Sequence, residues 1–309
     1  MWRSRLTAAA VLLPAVVALS SAPAWARHPG PGGGSGGSGG GSSSTPTGLD
    51  VSYPQCSDSP PAGEAFAIVG LNGGLANDYN SCLRAELSYA QGLKPTTGTT
   101  QPVAQLYVNT ADPGNTVSDW PYGTAYLPGS GLGQFGVQQS STGLTPYGPC
   151  ASTGTNTAAC AYVYGYDMVA GVNSTIVGDV SYLASQSSTP AGSLRWWLDV
   201  ETQNSWLSNT QMNVADLQGM VAALRYVGVA AANVGVYSTA SQWNTITGTP
   251  PITYNGSPNT LYGLNEWVTG AQNLSGAESD CTQTSFTHGT MQVSQWFSSP
   301  YDGDYSCTH

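Results

Sequence analysis

From residue 48 onward, short apolar runs rich in β-branched and aromatic residues alternate with stretches whose apolar positions fall three and four apart. The first kind predicts strands at Gly48–Ser52, Ala65–Leu71 (AFAIVGL), Val103–Val108, Leu194–Val200 (LRWWLDV), Asn233–Tyr237 (NVGVY), Tyr262–Val268 and Thr290–Trp296. The second predicts helices over Asp78–Leu93, Ala158–Ser185, Val214–Tyr226 and Ala240–Ile246. In the third of these, Leu217, Met220, Val221 and Leu224 mark one face. A repeated strand–helix order implies an α/β fold with a parallel sheet and helices outside it. About eight strand candidates over roughly 260 residues favour an irregular (β/α) TIM-type barrel, built as a single domain over 48–309, over a doubly wound sheet. The last strands show no helical pattern between them, so the irregularity is expected there. A long loop, Asn109 to Thr157, is rich in Gly, Pro, Ser and Tyr.

The start of the chain is patterned differently. Arg3 and Arg5 precede an apolar run from Leu6 to Leu19, and Ala24-Trp25-Ala26 supplies a small-residue cleavage signal. That order predicts a secretory signal peptide over 1–26, since the run is too short for a spanning helix. Residues 27–47 are mostly Gly, Ser and Pro, a flexible leader that cannot bury enough apolar surface to offset its ordering entropy. The expected location is therefore extracellular, with no membrane attachment after cleavage and a monomer in solution.

Charge narrows the function. The chain has 7 Lys and Arg against 17 Asp and Glu. With no basic patch, nucleic acid and anionic membrane surfaces are poor partners. The abundance of Trp, Tyr, Ser, Thr and Asn suits a polysaccharide. Six cysteines, Cys56, Cys82, Cys150, Cys160, Cys281 and Cys307, all fall in the folded part. In an exported chain an even number reads as disulfides; fifteen pairings are possible, and the sequential one is favoured. No C-x-x-C is present and the histidines, His28, His288 and His309, are scattered, so no metal is expected. No cofactor is expected either. Gly131 to Gly136 fits G-x-G-x-x-G, but polar loop flanks it on both sides where a dinucleotide site needs a strand and a helix. The G-x-S-x-G match at Gly33 to Gly37 lies in low-complexity glycine.

The candidate chemistry lies in carboxylates. Asp199-Val200-Glu201 ends a tryptophan-rich strand. Side chains two apart on a strand share a face, so the two acids stand about 6–7 Å apart at their bases. In a β/α barrel the C-terminal strand ends form the mouth where chemistry is done. Two acids there, beside an aromatic such as Trp197, have the parts for general-acid catalysis, because like charge and apolar walls raise one pKa. Asp50 closes the first strand, while Asp302 and Asp304 follow the last predicted one. A barrel would bring these ends together.

With these residues in place the chain resembles the family 25 glycoside hydrolases, the secreted muramidases. The resemblance rests on D-V-S-x-x-Q at Asp50–Gln55, D-V-E at Asp199–Glu201, G-V-Y-S at Gly235–Ser238, Trp267-Val268, and Q-x-x-Q-W with D-x-D-Y from Gln292 to Tyr305. It implies an irregular β/α barrel and cleavage of the β-1,4 link between N-acetylmuramic acid and N-acetylglucosamine. It also implies Glu201 as general acid and Asp199 as the group that orients the substrate's 2-acetamido arm. Asp50, Asp302, Trp197, Tyr237, Trp267 and Gln292 would line the sugar site. The chain departs from the family after the second strand, where Gly70-Leu71-Asn72-Gly73-Gly74 replaces K-x-[TS]-E-G. It departs again in the third, where Leu106-Tyr107-Val108-Asn109 replaces Y-H-F. The competing expectation is a glycan-binding protein that kept the barrel without catalysis.

Overall fold

The computed structural model describes residues 46–121, 145–150, 155–170, 191–226, 228–251, 253–254 and 257–308. The signal peptide, nearly all of the leader, both glycine-rich decoys, the middle of the long loop and the predicted helix beyond residue 170 lie outside these. Eight strands close a barrel. They are β1 (Thr47–Val51), β2 (Ala67–Gly70), β3 (Ala104–Asn109), β4 (Arg195–Asp199), β5 (Val234–Ser238), β8 (Asn265–Ala271), β9 (Met291–Trp296) and β10 (Gly303–Ser306). Two short strands, β6 (Thr253–Tyr254) and β7 (Ser257–Pro258), pair as a separate ribbon. The order around the barrel is β1-β10-β9-β8-β5-β4-β3-β2, closing through β1 and β2.

The sheet is mixed, which corrects the all-parallel expectation. β10 runs antiparallel to both β9 (Gly303↔Trp296) and β1 (Leu49↔Gly303). Only residues 297–302 join β9 to β10. A parallel return needs a crossover of a dozen or more residues, so a connection this short forces the strand back. Asp304, expected beyond the last strand, is therefore inside the barrel wall.

Among the described residues five helices accompany the strands: α1 (Leu83–Gly92), α2 (Ala158–Ala170), α3 (Thr210–Tyr226), α4 (Ala240–Thr247) and α5 (Leu274–Asp280). α1 begins five residues later than its pattern suggests. Asn80 stops it: its side-chain oxygen accepts from Cys82 N–H (2.9 Å) while its amide donates to Gly70 O (2.7 Å), holding 78–82 as a turn. α5 lies between the last parallel strands, where no helix was expected. It is short and polar, buries only Ala277, and is capped by Asn273 accepting from Gly276 N–H (3.0 Å). None of the described helices is long and apolar enough to cross a membrane.

Alternation along the strands separates two cores. Leu49, Val51, Ala67, Val69, Leu106, Val108, Trp196, Leu198, Val234 and Val236 face outward and pack under the helices. Phe66, Ile68, Trp197, Trp267 and Val293 fill the barrel interior. The cysteines pair sequentially, as favoured: Cys56–Cys82, Cys150–Cys160 and Cys281–Cys307. The first ties the turn after β1 to the start of α1; the third ties the end of α5 to the end of β10.

Candidate active site

The inward residues form layers along the barrel axis. At the N-terminal end of the parallel strands lies a polar floor. Arg195 donates to the side-chain oxygens of Gln101 (2.5 Å) and Gln292 (3.2 Å), and Gln101 donates to Gln292 O (2.9 Å). Burial pulls the Arg195 pKa down to about 10. Gln292, expected to line the sugar site, therefore sits at the opposite end from the mouth. The pairing of β9 with β8 slips by one between Glu266 and Trp267, which face Met291 and Val293, so Gln292 is the extra residue of a bulge.

Above the floor is an aromatic layer. Trp197 is fully enclosed and donates to Gln105 Oε1 (2.9 Å). Trp267, 2% exposed, donates to Asp304 Oδ1 (2.8 Å). Neither indole is reachable by a glycan, which corrects their expected contact with substrate. Instead they support the tyrosines above them. The Trp267 ring lies 4.4 Å from Tyr237 and 6.1 Å from Tyr107, centroid to centroid. Gly70 leaves room for Tyr107, since a Cβ there would collide with its ring and hydroxyl and with the Ser52 hydroxyl.

The mouth is built from carboxylates. Asp50 sits on β1, Asp199 at the end of β4 and Glu201 just beyond it; Asp302 lies in the turn into β10. Burial raises the pKa of Asp50 well above the ordinary carboxylate value, and the charges of Asp302 and Glu201 raise it further. Asp199 is likewise pushed up, first by burial, then by Glu201 and Asp50. These influences link Asp50 to Asp302 and Glu201, and Asp199 to Glu201 and Asp50, with Tyr237 feeling Glu201, Asp199 and Asp50 together. Asp302 also binds the rim directly: its backbone oxygen accepts from Asp50 N–H (3.2 Å) and its carboxylate from Ser298 N–H (3.0 Å).

The D-V-E backbone is fixed from three sides. Thr110 donates its hydroxyl to Asp199 O (2.6 Å), Ser238 its hydroxyl to Val200 O (2.7 Å), and Trp206 its indole N–H to Glu201 O (2.8 Å). Burial raises the Glu201 pKa, and a hydrogen bond from Gln242 opposes the rise. Gln242 is oriented for this, because its oxygen accepts from Thr202 N–H (2.7 Å) and Thr202 Oγ (3.1 Å), leaving its NH2 for the carboxylate. Asp199, 8% exposed, keeps one buried oxygen, Oδ1, without a partner.

Sequence reading missed three contributors, Gln295, Gln242 and Tyr107, and placed a fourth, Asp304, beyond the last strand. Gln295 accepts from Tyr237 OH (2.8 Å) and Thr269 OH (2.6 Å), and donates to Asp50 Oδ2 (2.8 Å). The Q-x-x-Q spacing held the signal, in its second glutamine. Gln242, on α4, and Tyr107, on β3, carry no motif of their own. Asp304 is fully buried beneath the mouth with one oxygen, Oδ2, unpartnered, and burial holds its pKa far up.

Where the family pattern K-x-[TS]-E-G is replaced, an asparagine seals the loop. The Asn72 oxygen accepts from Asn109 N–H (2.8 Å), and its amide donates to Ala76 O (3.0 Å) and Asp78 O (3.3 Å). The only group of three His, Cys, Asp or Glu ligand atoms that cluster among the described residues is Cys56, Cys82 and Glu86, and its two sulfurs form a disulfide.

A family model described as Lysozyme-like protein 1 matches residues 180–259, a stretch that takes in Asp199, Glu201, Tyr237 and Gln242. Two curated proteins of Dictyostelium discoideum also match, probable GH family 25 lysozymes 2 and 4. They are 44% and 42% identical over 52 residues. The chain resembles the family 25 lysozymes. Each of those matches covers 17% of this chain and under a quarter of the relative, 23% and 22%. Among solved structures, the bacterial lysozyme from Streptomyces coelicolor is 17% identical with a TM-score of 0.41, covering 85% of this chain and 93% of its own. The catalytic domain of endolysin ply40 from bacteriophage P40 of Listeria monocytogenes is 12% identical with a TM-score of 0.40, covering 86% and 95%. In this lysozyme-like chain the matched stretch supplies one side of the mouth, and β1 and β10 supply the other.

Proposed function

We propose that the chain is an exported glycoside hydrolase of muramidase type, acting on β-1,4 links in peptidoglycan or a related glycan. The observation that carries this is the convergence of Asp50, Asp199 and Glu201 at one barrel mouth, with a buried, high-pKa Glu201 beside an Asp199 whose oxygen lacks a partner. Glu201 acts as the general acid. Its proton goes to the glycosidic oxygen as the bond to the anomeric carbon breaks. The acetamido oxygen of the same sugar forms the new bond to that carbon, and Asp199 holds the acetamido N–H. Water then attacks the anomeric carbon, breaking its bond to the acetamido oxygen and giving a proton to the Glu201 carboxylate, which restores the acid. Asp50, hydrogen-bonded by Gln295, and Tyr237 line the sugar site. Export is supported by the N-terminal pattern and by three disulfides, which persist in oxidising surroundings.

The sealed Asn72 loop, which offers no charged group where the family pattern has a lysine and a glutamate, favours a second reading, a glycan-binding protein without turnover. Product analysis separates the two. Purified peptidoglycan incubated with the protein and reduced with borohydride should yield N-acetylmuramitol at every new end. Absence of new reducing ends would leave the binding reading standing, and N-acetylglucosaminitol ends would overturn the muramidase assignment.

A further inference from the structure

On the outside of the barrel, away from the mouth, an open cleft lies between α4 and the segments leading into β8 and β9. Trp243 and Phe286 form its inner wall, with ring centroids 5.8 Å apart. Tyr262 and His288 form its rim, their rings stacked at 4.7 Å and 24°. Tyr262 is 40% exposed, so the stacked pair faces solvent rather than completing a core. His288 is the one non-glycine residue among those described with a left-handed backbone (φ 66°). Such a conformation persists only where the surroundings impose it.

The surroundings do so here. Thr287 donates its N–H (2.5 Å) to the buried Glu266 carboxylate, which its hydroxyl also contacts (2.7 Å) and which Ser285 binds at 2.6 Å. Gly263 N–H donates to Thr287 O (2.8 Å), stitching the segment of Tyr262 to that of His288. The platform is therefore fixed before anything binds, which lowers the ordering cost of binding.

The rim chemistry names a ligand class. Asn244 and Thr249 line the cleft and are exposed, and neither side chain is hydrogen-bonded among the described residues. Among the described residues, no Asp, Glu, Lys or Arg lines it. A flat aromatic face edged by a free amide and a free hydroxyl complements a pyranose ring, whose C–H face is apolar and whose edge is hydroxyls. A charged ligand would find no counter-charge. With 17 acids against 7 bases, the chain's net charge does not favour holding a polymer through cations.

We propose that the Tyr262–His288 platform is a second glycan-binding site that holds one stretch of polysaccharide while another occupies the mouth. The choice of peptidoglycan as that polymer rests on the proposed function, whereas binding is measured without turnover. In the Glu201→Gln background, co-sedimentation with purified peptidoglycan sacculi should give a Kd that rises about fivefold or more on adding Tyr262→Ala, the loss expected for an aromatic anchor. Tyr262→Phe keeps the stacking face and should bind as the parent does. Tyr262→Ala alone should cleave a soluble peptidoglycan fragment at the wild-type rate, with an unchanged urea midpoint. The site is refuted if Tyr262→Ala sediments within twofold of its parent, if Tyr262→Phe weakens binding as much as alanine does, or if the parent does not sediment. A wild type that binds sacculi through Tyr262 and releases no reducing ends removes the hydrolase reading and leaves this site in place.

Discussion

Glu201 is held between two opposing influences. Burial raises its pKa and the Gln242 amide lowers it, so Gln242 sets how far up the pH scale the acid stays protonated. Replacing Gln242 by leucine removes the lowering influence. The folded pKa then climbs, and the alkaline limb of the pH–rate profile should move to higher pH, because the acid loses its proton later. An unmoved limb would show that Gln242 does not reach Glu201 in solution. At this scale much of the site was legible. D-V-E at a strand end pointed to the mouth, since period-two alternation holds along an apolar strand. The same rule failed for Gln292, where a bulge adds one residue and passes the mouth position to Gln295. It also overreached for Trp197: the inward direction was right, but a residue two positions below Asp199 lies in the packed layer and not at the surface.

Among the described helices, α2 and α3 pack with their backbones close together. Gly165 and Gly219 permit it, because a Cβ on Gly219 would run into Tyr162 O and one on Gly165 into Asp216 O. Alanine at position 219 gains helix propensity worth about 1 kcal/mol but forces two backbones apart. We expect Gly219→Ala to cost a net amount of about 1–3 kcal/mol, the usual range for overpacking, read as a lower urea midpoint at constant slope. A neutral or stabilising result would mean the helices separate freely. The strands with β-branched and aromatic runs, β1 to β5, β8 and β9, were readable within a few residues, whereas the short β6–β7 ribbon was not. β10 was not, because G-D-Y-S has no apolar run and takes its place by pairing with β1 and β9. α5 was hidden for a similar reason, having a single buried residue.

Among the described residues, several buried acids have their pKa raised. Asp112 and Asp167 are pushed from the ordinary aspartate value of 3.8 to about 7, chiefly by burial. Asp50, Asp199, Asp216 and Asp304 shift the same way. A folded pKa above the unfolded one means that the native state holds more protons between the two values. Stability is therefore full below about pH 4 on this account and declines as pH rises toward 7, with Asp112 alone worth on the order of 4 kcal/mol. The urea midpoint should be higher at pH 5 than at pH 8, and Asp112→Asn should flatten that slope. A midpoint that rises over the same interval would contradict the burial of these groups as neutral acids.

The same protonated condition is what the proposed chemistry requires of one acid at the mouth. The most direct test is the rate of reducing-end release from purified peptidoglycan by the wild type and by Glu201→Gln, assayed at pH 5 with both proteins shown to be folded. Loss of a positioned general acid predicts a fall of about 10²- to 10⁴-fold for the variant. Equal rates from the two proteins, or no release by the wild type, would contradict the assignment.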